Sequence, residues 1–277
     1  METDLSDRHV MITGASGGIG VATVRAFLKE GARVSAIYNT SERDLAELRA
    51  DYPDQLTTLR ADQQREEDVR RVFESAVKSH GRVDVLVANA GTANPEGVAL
   101  QDMDLKQWER TLRVNLTGTF LFAKHFFKNL ESSPGETASL ILVGSTAGLF
   151  GEAWYADYST SKAGMHGLMM SLKNEIVHLA PRGRVNKVNP GWTLTPMAEG
   201  ALTDKTMVKR ILQTIPMRKT ATPEDIAIAI LYLASDRLAG HVSGQTITVA
   251  GGMEGRVLWG TDEIDRDEVL RRIAEED

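Results

Sequence analysis

The chain has 277 residues, 42% of them hydrophobic and 25% charged, values of an ordinary globular α/β chain long enough to bury a large core. A formal net charge of -6 argues against a nucleic-acid-binding surface, and the absence of cysteine excludes disulfides, zinc–thiolate sites and thiol catalysis. Met1 to Arg8 is polar and acidic with no apolar signal region, and no apolar run approaches the roughly 18 residues of a membrane span, so the expectation is a soluble cytoplasmic protein.

His9–Thr13 (HVMIT) is a short apolar run, a buried strand that stops at Gly14. Gly14-Ala15-Ser16-Gly17-Gly18-Ile19-Gly20 follows, and Val21–Glu30 then reads as a helix closed by Gly31. Glycines between a strand and a helix let the backbone approach a pyrophosphate. The helix N-terminus adds free N–H groups and a partial positive charge. The spacing is Gly14, Gly18 and Gly20 rather than G-x-G-x-x-G, so the loop is a candidate dinucleotide site, with a ligand-free tight turn as the alternative.

Arg33–Tyr38 is the second strand. A dinucleotide fold often ends this strand in an acid for the adenosine ribose. Here Tyr38-Asn39-Thr40-Ser41 carries neither a carboxylate to repel a 2′-phosphate nor an arginine to clamp one. Ser41 is a candidate cap for a helix over Glu42–Asp51. Leu56–Ala61 is the third strand and runs into Asp62, either a loop cap or an adenine contact. Arg65–His80 carries apolar residues at Val69, Val72, Phe73, Ala76 and Val77, an amphipathic helix ended by Gly81.

Val83–Ala88 is the fourth strand, apolar almost throughout as in a parallel sheet covered on both faces, and breaks at Asn89-Ala90-Gly91. Thr92–Leu105 reads as a loop, and Trp108–Leu130 as a helix containing Asn115. From Phe120 to Phe127 that helix is apolar nearly all round, so one face needs a second cover, such as another subunit. Ser139–Val143 is the fifth strand and delivers Gly144-Ser145-Thr146. Ala153–Leu179 is a long helix whose stripe Met165, Leu168, Met169, Leu172 and Ile176 reads as core or subunit packing. Arg184–Val188 is the sixth strand, ending in Asn189-Pro190-Gly191. Trp192–Met217 is poorly patterned, holds Pro196 and Pro216, and reads as a flap over the strand ends. Pro223 opens a helix to Ser235, and Gln245–Val249 is the last strand. Residues 261–277 are expected to form a charged helix with i,i+4 pairs Glu268–Arg272 and Asp267–Arg271. Strands alternate with helices, and no repeat or linker divides them, which predicts one doubly wound α/β domain with a parallel seven-stranded sheet.

Tyr158-Ser159-Thr160-Ser161-Lys162 sets a phenol and an ammonium four residues apart, on one face of a helix. Tyrosine ordinarily ionises near ~10. A neighbouring cation favours the phenolate, and a general acid/base works best with a pKa near the working pH. The pair is a candidate proton shuttle for an alcohol oxygen. The bland alternative is a chance pair on a solvated face.

Together these residues resemble the short-chain dehydrogenase/reductase family, over about residues 8 to 252. Thr13-Gly14-x-x-x-Gly18-Ile19-Gly20 matches its cofactor loop, and Ala88-Asn89-Ala90-Gly91 its Asn-Asn-Ala-Gly motif with Ala88 for the first Asn. Asn115, Ser145, Tyr158 and Lys162 match its four catalytic positions. Pro190-Gly191 and Thr195 match the segment that binds the nicotinamide carboxamide. Ala250 stands where many members have Asp, and Lys187 where a small residue is usual.

The resemblance implies a Rossmann-type fold and hydride transfer between NAD(P) and a secondary alcohol or ketone, 3-oxoacyl reduction included. It implies Tyr158 as general acid/base. Lys162 would lower its pKa and hold the nicotinamide ribose, Ser145 would orient the substrate oxygen, and Asn115 would hold a water on a proton path. Cofactor contacts are expected at Gly14, Ser16, Gly18, Ile19, Gly20, Asn39, Asp62, Asn89, Gly91, Tyr158, Lys162, Thr193 and Thr195. The missing acid after Tyr38 leans the expectation to NADP. No metal, nucleic acid or membrane partner is expected, and the family implies a homotetramer or homodimer.

Three other readings compete. A cofactor-binding regulatory or scaffold protein without catalysis should have lost part of the tetrad. A serine hydrolase on the S-x-x-K pattern Ser159–Lys162 would need Ser-Asp-Asn or Lys-Thr-Gly, which are absent. A metal enzyme has only the lone Glu175-x-x-His178. Substrate choice is expected to lie in Thr92–Gly97, Gly148–Tyr155 and Trp192–Met217.

Overall fold

Seven short runs, most of them apolar, form the centre of the molecule. They are β1 (His9–Thr13), β2 (Arg33–Tyr38), β3 (Leu56–Arg60), β4 (Val85–Ala88), β5 (Thr137–Val143), β6 (Arg182–Pro190) and β7 (Thr246–Val249). The computed structural model describes residues 2–198, 205–255 and 257. The strands pair in the order β3-β2-β1-β4-β5-β6-β7, every pair parallel. Strand order therefore reverses between β1 and β4, the place where an open α/β sheet leaves a crevice at its C-terminal edge.

Alternate residues of each strand feed opposite layers. Met11 joins one core with α3 (Glu66–His80), α5 (Gly118–Ser132) and α7 (Ala156–Glu175). Val10 and Ile12 join the other with α1 (Gly18–Lys29), α2 (Ala46–Asp51) and the helix Pro223–Ala234. Both faces are covered, so β1 and β4 are buried at every position, as their apolar runs require. At the opposite edge the buried Arg184 guanidinium donates to the Leu233 and Ala234 carbonyls at 2.6 and 3.0 Å and to Asp236 at 2.8 Å. Those bonds satisfy the helix end that the strand passes beneath.

The structure differs from the sequence expectation at several elements; the helix expected over Glu42–Asp51 with a Ser41 cap is a 3₁₀ turn, Arg43–Leu45, followed by α2, whose N-cap is Leu45 with no side-chain cap. The helix expected over Trp108–Leu130 runs in three pieces: α4 (Leu105–Leu112), a π-helical turn Arg113–Thr117, and α5. The long helix expected to reach Leu179 is α7, starting at Ala156 and passing at Glu175 into a 3₁₀ turn, Ile176–His178. Its Met165 and Met169 are core residues. The flap is more ordered than its weak pattern indicates. It holds a 3₁₀ turn, Pro196–Ala198, and α8 (Lys205–Gln213), and Ile211 and Ile215 pack against Ala250 and Met253. A short helix that buries one edge leaves little periodicity to read. Two four-residue helices, α6 (Ala147–Phe150) and α10 (Asp236–Ala239), flank α7 and α9 (Pro223–Ala234) and are too short to show a period. Residues 199–204 of the flap and the charged helix expected at 261–277 lie outside the described residues.

Phe126 of α5 is fully buried in the first core. Phe126→Ala is expected to lower the unfolding free energy by about 3–5 kcal/mol in urea titrations, the cost of lost transfer energy plus a cavity. A loss under about 1 kcal/mol would show that this layer collapses around the gap.

Candidate active site

The glycine loop follows from space. Gly14 sits at φ +61, and a Cβ there would lie 2.7 Å from Ala90 Cα. A Cβ at Gly20 would lie 2.1 Å from the Gly14 carbonyl oxygen. The loop is thus folded onto itself and onto β4 as only glycine allows. Gly17 caps α1 in extended conformation, with no side-chain cap and no acid in the first turn, so the positive helix end stays open at the strand tips. Asn89 holds this arrangement: Nδ2 donates to the Thr13 and Gly14 carbonyls, both at 3.0 Å. Thr13 Oγ1 in turn accepts the N–H groups of Asn89 and Ala90, both at 3.0 Å. Asn89, expected as a cofactor contact, spends its amide nitrogen on the loop that would carry the cofactor.

Ser16 and Ile19 are half-buried in the same loop, Ile19 leaning on the second core. A Cβ at Gly18 would lie 2.9 Å from Thr195 Cγ2 and 3.3 Å from Pro196 Cδ, so the chain after β6 lies across the glycine turn. Thr193 is buried and donates to the Gly191 carbonyl at 3.0 Å, and Thr195 donates to the Thr193 carbonyl at 3.4 Å. A close-approach backbone, an uncapped helix end and a strap across them fit a dinucleotide diphosphate.

At the adenosine end, Asn39 is exposed and its carbonyl accepts from Arg60 Nε at 2.9 Å. Asp62 behaves as the loop cap: Oδ1 accepts from the Gln64 backbone N–H at 3.0 Å and from Gln64 Nε2 at 3.2 Å. The Arg60 contact was not anticipated. Its signal is the parallel register that sets Tyr38 beside Arg60.

The four candidate catalytic residues come together. Asn115 leaves the π-helical turn fully buried: Oδ1 accepts from the Thr92 N–H at 2.7 Å, and Nδ2 donates to the Thr92 carbonyl and to Ser161 Oγ, both at 2.9 Å. Lys162 Nζ donates to the Val143 carbonyl at 2.9 Å and lies 5.8 Å from the Tyr158 ring centroid. Gly91 makes room for both, since a Cβ there would lie 3.1 Å from Nζ and 3.3 Å from Asn115 Oδ1. The Tyr158 and Ser145 hydroxyls share a hydrogen bond. Ser145 Oγ also accepts from the Ala147 N–H at 3.1 Å.

The electrostatics depart from expectation. Burial raises the Tyr158 pKa above its usual 10.0; the Ser145 hydrogen bond pulls it back, and the Glu152 charge pushes it up again. Lys162 was expected to lower it. The ammonium is instead turned to the Val143 carbonyl and is itself destabilised, burial bringing its pKa from 10.5 down to about 8. A buried carboxylate, Asp157, went unnoticed in the sequence. It accepts from Thr111 Oγ1 at 2.7 Å, Gln107 Nε2 at 3.3 Å and the Tyr158 N–H at 2.8 Å, pinning the first turn of α7 to α4. No spacing announces it, because its donors are 46 and 50 residues away.

The three segments expected to choose the substrate meet here. Tyr155 donates to the Pro95 carbonyl at 3.2 Å, and Val98 N–H to the Trp154 carbonyl at 2.7 Å. Phe150 and Trp192 pack on the cluster of Ile211, Ile215, Ala250 and Met253. The serine–lysine dyad of a hydrolase is not formed. Ser159 Oγ accepts from the Glu152 N–H at 3.2 Å, Ser161 Oγ donates to the Tyr158 carbonyl at 2.7 Å, and Lys162 faces Val143. Among the described residues no group of three or more His, Asp or Glu is arranged to hold a metal ion, and no helix is long and apolar enough to cross a membrane.

A family model described as enoyl-(acyl carrier protein) reductase matches residues 14–254. A cis-4-hydroxycyclohexanecarboxylate dehydrogenase from Sinomonas cyclohexanicum is 34% identical over 249 residues, 89% of this chain and 96% of the relative. A 3-oxoacyl-[acyl-carrier-protein] reductase from Synechocystis sp. is 34% identical over 256 residues, 91% of this chain and 98% of the relative. Among solved structures, a short-chain dehydrogenase/reductase of the glucose/ribitol dehydrogenase type from Brucella melitensis superposes with a TM-score of 0.82 at 30% identity, covering 91% of this chain and 99% of that one.

The buried ammonium gives a signed expectation. The unfolded chain keeps the Lys162 proton up to its ordinary 10.5 while the folded protein releases it near 8, so stability rises with pH across that window. Wild type is therefore expected to gain about 1–3 kcal/mol on Lys162→Met between neutral pH and about pH 10 in denaturant titrations. A gap that stays flat with pH would mean the ammonium is not destabilised.

Proposed function

The chain belongs to the short-chain dehydrogenase/reductase family, and from that premise we propose that it passes a hydride between NADP(H) and a secondary alcohol or its ketone, with Tyr158 giving or taking the proton on the substrate oxygen. It is an oxidoreductase, and its family implies a nicotinamide cofactor. The observation that carries the reading is the hydrogen-bonded Tyr158–Ser145 pair, with the Lys162 ammonium near the phenol ring, at the tip of β5.

When bound, the nicotinamide supplies or accepts the hydride. Everything else falls to the chain. Gly14, Gly18 and Gly20 let the backbone approach the diphosphate, the open N-terminus of α1 meets its charge, and the Thr193–Pro196 strap lies over it. Tyr158, its pKa raised, keeps its proton at neutral pH, so the resting site is loaded to protonate the alkoxide that forms when a ketone is reduced. Alcohol oxidation requires the phenolate and draws on the alkaline form. Ser145 orients the substrate oxygen beside the phenol. Lys162 holds the ribose and returns the phenol's proton. Both ends of the Asn115 amide are occupied, so it serves as the brace that fixes Thr92 and Ser161 around Lys162.

Substrate and assembly follow from the walls. Phe150, Trp192 and exposed Trp154 and Leu194 border the strand tips and suit an apolar body next to the reacting carbon, as in cyclic alcohols or 3-oxoacyl chains. Exposed Phe120 of α5 and Met170 of α7, with Val177 beyond it, support a face covered by a second copy, in a homotetramer or homodimer working in the cytoplasm. The absence of an acid after Tyr38 favours NADP over NAD.

Tyr158→Phe is expected to lower kcat by about 10²–10⁴-fold with NADPH binding, followed by fluorescence, kept. The wild-type rate of ketone reduction should fall, and that of alcohol oxidation rise, as pH climbs toward the tyrosine. Turnover that survives in Tyr158→Phe, or slopes of opposite sign, overturns the assignment.

A further inference from the structure

We infer that Arg60, the last residue of β3, recognises the 2′-phosphate of NADP and so selects between the two nicotinamide dinucleotides. The inference rests on the NADP reading above. The end of β2 offers neither an acid nor a basic residue in Tyr38–Ser41, while the neighbouring strand β3 ends in an arginine. The parallel register places Arg60 directly beside Tyr38. Leu59 turns into the core with α3, and Arg60 points to the opposite side, where Nε donates to the Asn39 carbonyl at 2.9 Å. That bond fixes the guanidinium at the strand tip. Its two terminal nitrogens make no hydrogen bond among the described residues, and the side chain is exposed.

The local charge balance leaves Arg60 for an anion. Glu42, on the same side, accepts from Thr58 Oγ1 at 3.0 Å and pairs with Arg49 at 3.5 Å. Asp62 is held by Gln64, and Asp68 pairs with Arg71 at 3.1 Å. Arg71 Nη2 also donates to the Arg60 carbonyl at 3.1 Å, bringing a second guanidinium to the same strand end. With Nε spent on Asn39, the end edge formed by the two terminal nitrogens is still free; it matches phosphate oxygens and gains little from the single hydroxyl that NAD carries in that place.

The test is a pair of fluorescence binding titrations, NADPH and NADH, on wild type and Arg60→Ala. Wild type is expected to bind NADPH more tightly. Arg60→Ala is expected to lose about ten- to a hundredfold in NADPH affinity, with NADH affinity unchanged. Equal losses for both cofactors, or none, overturn the role of Arg60 and leave the NADP reading standing. A wild type that binds NADH at least as tightly as NADPH overturns the NADP reading itself. Should Arg60→Ala not fold, Arg60→Lys carries the same comparison: it keeps a charge without the fork, and a drop confined to NADPH is expected, whereas parallel changes sink the proposal.

Discussion

The site depends on a clamp between two strand tips. Asn89, leaving β4, holds the carbonyls of Thr13 and Gly14, and Thr13 holds the first two N–H groups after β4. Each such bond contributes only about 1 kcal/mol net, but a buried carbonyl or N–H left alone would cost about 1–3. Together they fix a backbone that comes within contact of its neighbour, where Ala90 allows no side chain at Gly14. The start of α1 is placed by that loop, so the direction of its open N–H groups is set by a residue some seventy positions further along the chain.

Burial then acts on Tyr158 and Lys162 in opposite senses with one result. It raises a phenol and lowers an ammonium, pushing both toward neutrality. The protein tolerates this because each keeps a neutral partner, Ser145 for the phenol and the Val143 carbonyl for the ammonium. Asp157 is treated differently: three donors surround it, and it acts as an anchor for the helix that carries the tyrosine. Burial is the main cause that raises the phenol, and the negative charge of Glu152 adds a smaller push in the same direction.

Much of this was legible in the chain. β1 and β2 begin and end where their apolar runs do, because a fully covered strand has no reason to alternate. Asn115, Ser145, Tyr158 and Lys162, singled out by their resemblance to a family pattern, lie together in the fold although they are far apart in the chain. Other features were not. α1 starts at Gly18 rather than Val21, since glycines are poor helix formers and hide its first turn. The role of Arg60 depends on strand register, and that of Asp157 on a helix far away in sequence. The spacing of Tyr158 and Lys162 gives their proximity but neither their burial nor the direction of the ammonium.

The π-helical turn at Arg113–Thr117 carries one residue more than an α-helical path would need. One residue is worth about 100° of rotation, so α4 and α5, though continuous, are out of phase. α4 is aimed at α7, while α5 serves α3 and the sheet. This stretch is consequently sensitive to length as well as to identity. Removing a single residue would straighten the helix into a more regular one and swing Asn115 away from Thr92 and Ser161. A shortened descendant would have gained local regularity by dismantling the cluster around Asn115.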